Sequence, residues 1–366
     1  MKLSNPQLNQ AEIDAVIKVL NSGQLSLGPE TEKFEQELAS WVGAKYAVAV
    51  ANGTAGLHLA VLASGITDGD EVITTPFSFV ASTNCFLYER AKPVFVDVDP
   101  NTLNFDVNKI EAAITPKTKA ILGVDIFGYP AEWDQIMDLA KKHNLKIIED
   151  AAEALGATYK GKKLGSLGHP TVFAFYPNKQ MTTGEGGMIV TDSKDEYELI
   201  KGLSNQGRGK DMQWLRHEYL GFNYRMSEIA AAIGRVQLEK LNGFLSNRNQ
   251  VADWYNQRLN HVKGVNLMLK NDADHLRSWF VYVIRLDASL NRDSVIEKLT
   301  TEGIPAKAYL PSIHLQPYLV KKFGFKSGDF PVSEAISAST LALPFFTGMN
   351  QDQVEEVCQT LEKVLK

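Results

Sequence analysis

Cysteine is scarce in this 366-residue chain. Only Cys85 and Cys358 occur, and neither stands in a CxxC or Cys/His ligand spacing. A disulfide scaffold and a zinc or other metal site are therefore not expected, and a reducing compartment is. No apolar run approaches the ~18 residues that a membrane span requires. The opening MKLSNPQLNQAEI lacks the apolar core of a signal peptide. A cytoplasmic protein without a membrane partner is the expectation. There is no strong excess of one charge either. The formal net charge is -5, which gives no electrostatic reason to expect nucleic acid as a partner. Internal repeats and low-complexity segments are absent.

What is present is an ordinary globular composition, 44% hydrophobic and 22% charged, on a chain long enough for two domains. Ile13, Val16, Ile17 and Leu20 follow helical spacing, so the chain opens with an amphipathic helix that stops at Gly23. From residue 46 short β-branched runs alternate with helical stretches: YAVAVAN then TAGLHLAVLAS, EVITTP then SFVASTNCFLYER, KAILGVDIFG then AEWDQIMDLAKKHN, and finally KIIEDAAEA. Such alternation predicts βα units and a largely parallel sheet covered on both faces. TVFAFY and GGMIVTD read as two further strands, with antiparallel pairing favoured by their short connection. A helical region over about 227–259 marks a boundary. Beyond it come a strand in RSWFVYVIRLD, a helix in NRDSVIEKLTTEG, a strand in IPAKAYL and a closing helix carrying Val354, Val357, Leu361, Val364 and Leu365 on one stripe. The expected division is a large α/β domain over 1–245 and a smaller α+β domain over 246–366.

Open parallel sheets bind ligands at the carboxyl ends of their strands. Three polar features fall there. Gly53, Thr54 and Ala55 follow the strand YAVAV and would offer backbone N–H groups at a helix N-terminus, a natural phosphate site. The same turn could equally be a helix start capped by Thr54. Glu149 and Asp150 end the strand KII, where a carboxylate is costly unless it has a partner. Asp150 could cap the next helix or meet a cationic ligand group. Lys179 follows TVFAFY and precedes Gly184, Gly186 and Gly187. A phosphate-cradling P-loop would put its lysine after the glycines, so that reading is excluded. A lone lysine is ordinarily solvated, but this one is tied down by strands on both sides, and a desolvated lysine becomes a competent amine nucleophile. Together a phosphate cradle, a strand-end acid and such a lysine describe a site for pyridoxal phosphate, which needs all three.

The stretches ANGTAGLHLA, FSFVASTNC, KPVFVDVDPNTLN, EDAAEALGA, FAFYPNKQMTTGEGG and GFNYRMSEIAAAIGRVQL resemble the DegT/StrS-type sugar aminotransferases, fold-type I pyridoxal-phosphate enzymes. The resemblance runs from the first helix to FPVSEAISASTLALP. It implies a Schiff base (internal aldimine) at Lys179, with Asp150 opposite the pyridinium nitrogen. It also implies a phosphate turn at Gly53, Thr54 and Ala55, an aromatic stack by Phe79, and Glu153 beside the phenolic oxygen. Asn223 would reach the phosphate of the neighbouring subunit, which makes a homodimer with shared active sites, and His314 would lie on the substrate side. The activity implied is transfer of an amino group, with glutamate as the amino-acid donor, to a nucleotide-linked keto-sugar. The product would be an amino sugar for a polysaccharide or natural product.

Three positions depart from the commonest pattern of that family. Glu153 replaces a glutamine, Ala174 a phosphate-binding serine, and Asp125 a frequent histidine. A dehydratase on the same fold would carry histidine in place of Lys179. A cyclitol or aromatic amine product is the alternative within enzymes, and a non-catalytic regulatory member the alternative outside them. The latter predicts decay of Lys179, Asp150, Thr54 and Asn223, all of which are present.

Overall fold

In the computed structural model, which describes residues 1–209 and 216–366, the opening helix α1 (Gln10–Ser22) is closed at both ends by local chemistry. Asn9 and Glu12 form a capping box, and Gly23 ends the helix at φ +70°. Its apolar stripe does not face this chain's core, contrary to the usual reading of an amphipathic helix. Ile13, Ile17 and Leu20 are exposed, while Glu12 and Val19 are buried. The cause is Glu12, which accepts from Lys240 Nζ at 2.6 Å and Gln237 Nε2 at 2.7 Å on the long helix Glu228–Leu259.

The main sheet has seven strands: β1 (Tyr46–Val50), β2 (Glu71–Thr74), β3 (Lys92–Phe95), β4 (Thr118–Val124), β5 (Lys146–Asp150), β6 (Thr171–Ala174) and β7 (Gly187–Thr191). Their order is β1-β7-β6-β5-β4-β2-β3, with β7 antiparallel to both its neighbours and the remaining pairs parallel. Burial covers both faces. Phe34, Leu38, Trp133, Ile136 and Phe173 pack in one cluster, and Leu57, Ala60, Val61, Phe86 and Ile200 in another. Register then decides which residues meet at the carboxyl edge. Val50 of β1 and Ala174 of β6 both pair with Gly187. The turn after β1 thus comes up against the end of β6. A Cβ on Gly187 would lie 2.8 Å from the Asn52 carbonyl, so only glycine permits this crossing.

The second body is built on an antiparallel sheet ordered Val265–Asn266, Tyr282–Leu286, Thr340–Leu343, Lys307–Ala308. Its core joins Tyr255, Tyr282, Ile284, Leu299, Val357 and Leu361. The strand expected over 277–287 forms only at Tyr282–Leu286, because the preceding residues turn toward the large body: Ser278 N–H donates to Gly128 O at 3.0 Å. The expected division at residue 245 falls inside the helix Glu228–Leu259. Leu238 and Leu241 pack with the large core, and Val251, Ala252, Tyr255 and Leu259 with the small one. No helix among the described residues is long and apolar enough to cross a membrane.

Candidate active site

Lys179 lies on the turn that joins β6 to β7. Phe175 N–H donates to Gly186 O at 2.9 Å and Lys179 N–H to Tyr176 O at 2.9 Å. The hydroxyl of Thr182 donates to Phe175 O and accepts from Gly184 N–H, each at 2.9 Å. These bonds fix the turn. The side chain is only 13% exposed, and its Nζ sits 3.9 Å from Glu153 Oε1 and 3.9 Å from the centroid of the Phe280 ring. Burial holds the amine below the ordinary lysine value, against the pull of Glu153 and Asp150.

Asp150 ends β5 in the same cavity. Its Oδ2 accepts from Ser82 Oγ at 2.6 Å and its Oδ1 from Ala152 N–H at 3.1 Å. Burial raises its carboxyl, while the Ser82 and Ala152 bonds and the Lys179 charge oppose the shift. Glu153 Oε2 accepts from Phe127 N–H at 2.9 Å, and burial raises this carboxyl as well, opposed first by Lys179. The neutral form of this carboxyl is thus favoured more than at an exposed site.

The helix α2 (Gly53–Ala63) begins on the cavity wall. Its cap is Asn52, not Thr54: Asn52 Oδ1 accepts from Ala55 N–H at 2.9 Å. The N–H of Ala55 is thus already used, and the free donors of the turn, among the described residues, are those of Gly53 and Thr54. A Cβ on Gly53 would lie 2.8 Å from the Cβ of Ala174. Phe79 stands at the mouth, 61% exposed. The cavity measures about 410 Å³ and joins Gly53, Thr54, Phe79, Asp150, Glu153, Ala174 and Lys179 with Tyr176, Phe280 and Tyr309.

Two expected site residues lie elsewhere. His314 is fully buried, 3.0 Å from Glu334 Oε1, with its ring edge-on to Phe330. It is a packing histidine in a phenylalanine cluster, not a wall of the cavity. Asn223 is exposed beside the end of β1, where Ala51 N–H donates to Tyr224 O at 2.8 Å, and does not line this cavity. Of the segment RGKDMQWLRHEY over 208–219, residues 210–215 lie outside the described residues. Asp125, which replaces a histidine, has a structural account. Its Oδ1 accepts from Ala131 N–H and Trp133 Nε1–H, both at 2.9 Å. Its Oδ2, like Glu149 Oε1, is buried without a hydrogen-bond partner among the described residues, and burial together with the Glu149 charge holds the Asp125 carboxyl well above its ordinary value. Glu149 in turn accepts from His169 Nε2 at 2.7 Å and Thr171 Oγ at 2.8 Å.

Sequence reasoning missed Ser82, Phe280, Tyr309 and Asn52. Ser82 stood within FSFVAS and Asn52 within ANGTAG, where the N-cap preference of asparagine was the available signal. Phe280 and Tyr309 come from the second body and carried none.

A buried amine at the carboxyl edge of such a sheet, with one acid behind it and another beside it, defines an aminotransferase of fold-type I. The chain belongs to the DegT/DnrJ/EryC1/StrS aminotransferase family, whose model matches residues 6–362. It is 39% identical to GDP-perosamine synthase of Caulobacter vibrioides over 100% of this chain and 98% of that one. It is 38% identical to the spore coat polysaccharide biosynthesis protein SpsC of Bacillus subtilis, covering 99% and 96% of the two chains. Among solved structures, DesV of S. venezuelae, in complex with a ketimine intermediate, superposes with a TM-score of 0.91 at 32% identity, covering 96% and 93%. The family's members work with pyridoxal or pyridoxamine phosphate. The residues present fit that group: two free N–H donors at a helix start, a glycine that keeps the turn against β6, and a buried, unpartnered Asn178 Oδ1 on the cavity wall.

Proposed function

We propose that this aminotransferase moves an amino group from glutamate to a nucleotide-linked keto-sugar, with pyridoxal phosphate held covalently by Lys179. The observation that carries the reading is the Lys179 amine, desolvated between Glu153 and the Phe280 ring in the cavity that Asp150 lines. The substrate class is supported by the GDP-perosamine synthase and spore coat polysaccharide relatives. The product is an amino sugar for a polysaccharide or natural product.

When bound, the cofactor supplies an electron sink for the carbon that gives up or receives the amino group. Gly53 and Thr54 would hold its phosphate through their N–H groups. Asp150, kept in place by Ser82 and Ala152, would face the pyridinium nitrogen and favour its protonation. Glu153 would lie beside the phenolic oxygen, and Phe79 would stack on the ring. Lys179, whose basicity burial lowers, would carry the proton to and from the reacting carbon on its Nζ.

A homodimer with shared sites is supported by what one subunit leaves open. Phe79 and Tyr176 stand exposed at the mouth, α1 presents Ile13, Ile17 and Leu20 to solvent, and Asn223 is exposed outside its own cavity. Cys85 and Cys358 are free and buried, in keeping with a cytoplasmic location.

The test is a panel of nucleotide keto-sugars incubated with glutamate and scored by mass for the amino product. An amino sugar from at least one member is expected with the wild type and none with Lys179→Ala. Product formation by Lys179→Ala at the wild-type rate sinks the assignment.

A further inference from the structure

Arg248 is buried to 3% exposure on the long helix, 69 positions from Lys179 in sequence. Among the described residues no carboxylate pairs with it. Its guanidinium donates instead to main-chain carbonyls and one hydroxyl. Nη2 donates to Lys179 O at 3.0 Å. Nη1 donates to Trp279 O at 3.2 Å and Phe280 O at 3.1 Å. Nε donates to Thr347 Oγ at 3.1 Å. The group also lies 5.4 Å from the centroid of the Phe345 ring. A buried cation without an anion is expensive, and burial lowers its own basicity to about 10. A core position that needed only bulk would be served better by leucine or methionine.

The partners explain the arginine. Lys179 belongs to the β6–β7 turn of the large body. Trp279 and Phe280 precede the central strand of the small one, and Thr347 follows its neighbour. The Phe280 ring is the one that covers Lys179 Nζ at 3.9 Å. The two carbonyls that flank this amine and its aromatic cover are thus held by one rigid fork. Lysine could not do this, because a single ammonium lacks the planar spread that reaches three carbonyls at once.

We propose that Arg248 is a positioning residue for the reaction, which fixes the backbone of Lys179 and the Phe280 ring as one unit and so sets where the amine stands in the cavity. The proposal rests on the reading of Lys179 as the reactive amine. Displacing a reacting group by a fraction of an ångström costs rate far more than it costs binding.

The test compares wild type, Arg248→Gln, Arg248→Lys and Tyr255→Phe. The last is a control: it removes the Tyr255 hydroxyl bond to Pro344 O from the same small-body core without touching the Lys179 turn. The first readout is the pH dependence of Lys179 acylation by isotope-labelled acetic anhydride in cofactor-free protein, followed on the peptide by mass spectrometry. Loosening the turn admits water, so the midpoint in Arg248→Gln rises by about half a pH unit or more, with a smaller rise in Arg248→Lys. The second is steady-state kinetics: kcat falls about 10- to 100-fold in Arg248→Gln while the donor KM changes little. Midpoints that coincide with wild type overturn the proposal, as does an equal shift in Tyr255→Phe at the same loss of melting temperature. If Arg248→Gln does not fold, Arg248→Lys decides alone, by a rise or its absence. Borohydride trapping of the cofactor on wild-type protein separates the two readings. Failure to label Lys179 there removes the function assigned to the lysine, whereas labelled Lys179 with an unmoved midpoint in the variants removes only the role of Arg248.

Discussion

Gly53 and Ala174 meet so closely that a Cβ on the first would lie 2.8 Å from the Cβ of the second. Neither flexible side chain nor solvent can absorb that overlap, since both residues stand on the ends of regular elements. Gly53→Ala is therefore expected to destabilise the protein by about 1–3 kcal/mol, the usual cost of overpacking, and to loosen the cofactor. Ala174→Gly in the same chain relieves the overlap and restores most of both. A double variant as impaired as the single one, by thermal melt and cofactor retention, argues against the contact.

Ala174 also stands where the family resemblance implies a phosphate-binding serine. Ala174→Ser adds one donor at the phosphate end of the cavity. Tighter cofactor retention is expected, by about 1 kcal/mol or roughly fivefold, measured as the dissociation constant in a dialysis series. Unchanged or weaker retention would mean that the phosphate does not lie against the end of β6.

Glu153→Gln keeps the acceptor for Phe127 N–H but removes a charge 3.9 Å from Lys179. The Glu153 carboxylate pulls the lysine upward in pH, so its loss moves the Lys179 midpoint down. One pH unit corresponds to about 1.4 kcal/mol, and a shift below one unit is expected at this distance. An upward shift of the absorbance or acylation midpoint contradicts the assigned pairing.

The Asp125 and Glu149 carboxyls are both raised, by burial first and, at Asp125, by the charge of Glu149 as well. The folded state therefore binds more protons than the unfolded one above the ordinary carboxyl range of 3.8 to 4.5. The stabilisation from these two groups is present at low pH and is lost as pH climbs through the folded values. Asp125→Asn keeps the acceptor for Ala131 and Trp133 and can donate to Glu149 without titrating. The melting temperature of this variant should depend less on pH between about 4.5 and 8 than that of the wild type. Parallel curves for the two proteins would refute the raised Asp125 carboxyl.

Asn223→Ala should weaken cofactor retention although Asn223 does not line the cavity of its own subunit. Equal retention by variant and wild type in a fluorescence titration speaks against shared sites.

The lysine, the strand-end acid and the glycine turn were legible from the sequence because each lies on a βα unit whose periodicity is local. Phe280 and Arg248 were not, since their roles arise from the docking of two bodies and no local pattern reports it. His314 lies outside this cavity for a related reason. The resemblance alone places it on the substrate side, whereas Glu334, Phe95, Phe325 and Phe330 converge on it from other segments and enclose it. The α1 stripe had the right period and the wrong direction, because the buried Glu12 ion pair with Lys240 outweighs three exposed aliphatics. The N-cap was misassigned by two residues for want of weight on asparagine, which caps as well as serine or threonine.

The helix Glu228–Leu259 runs 32 residues without a break, about 48 Å at 1.5 Å per residue. One half is sealed in the large core and the other in the small one. Such a shaft leaves no slack joint between the bodies. Heating should therefore melt the protein in a single calorimetric transition, and any closing of the mouth on a substrate must come from loops or from flexing the shaft itself.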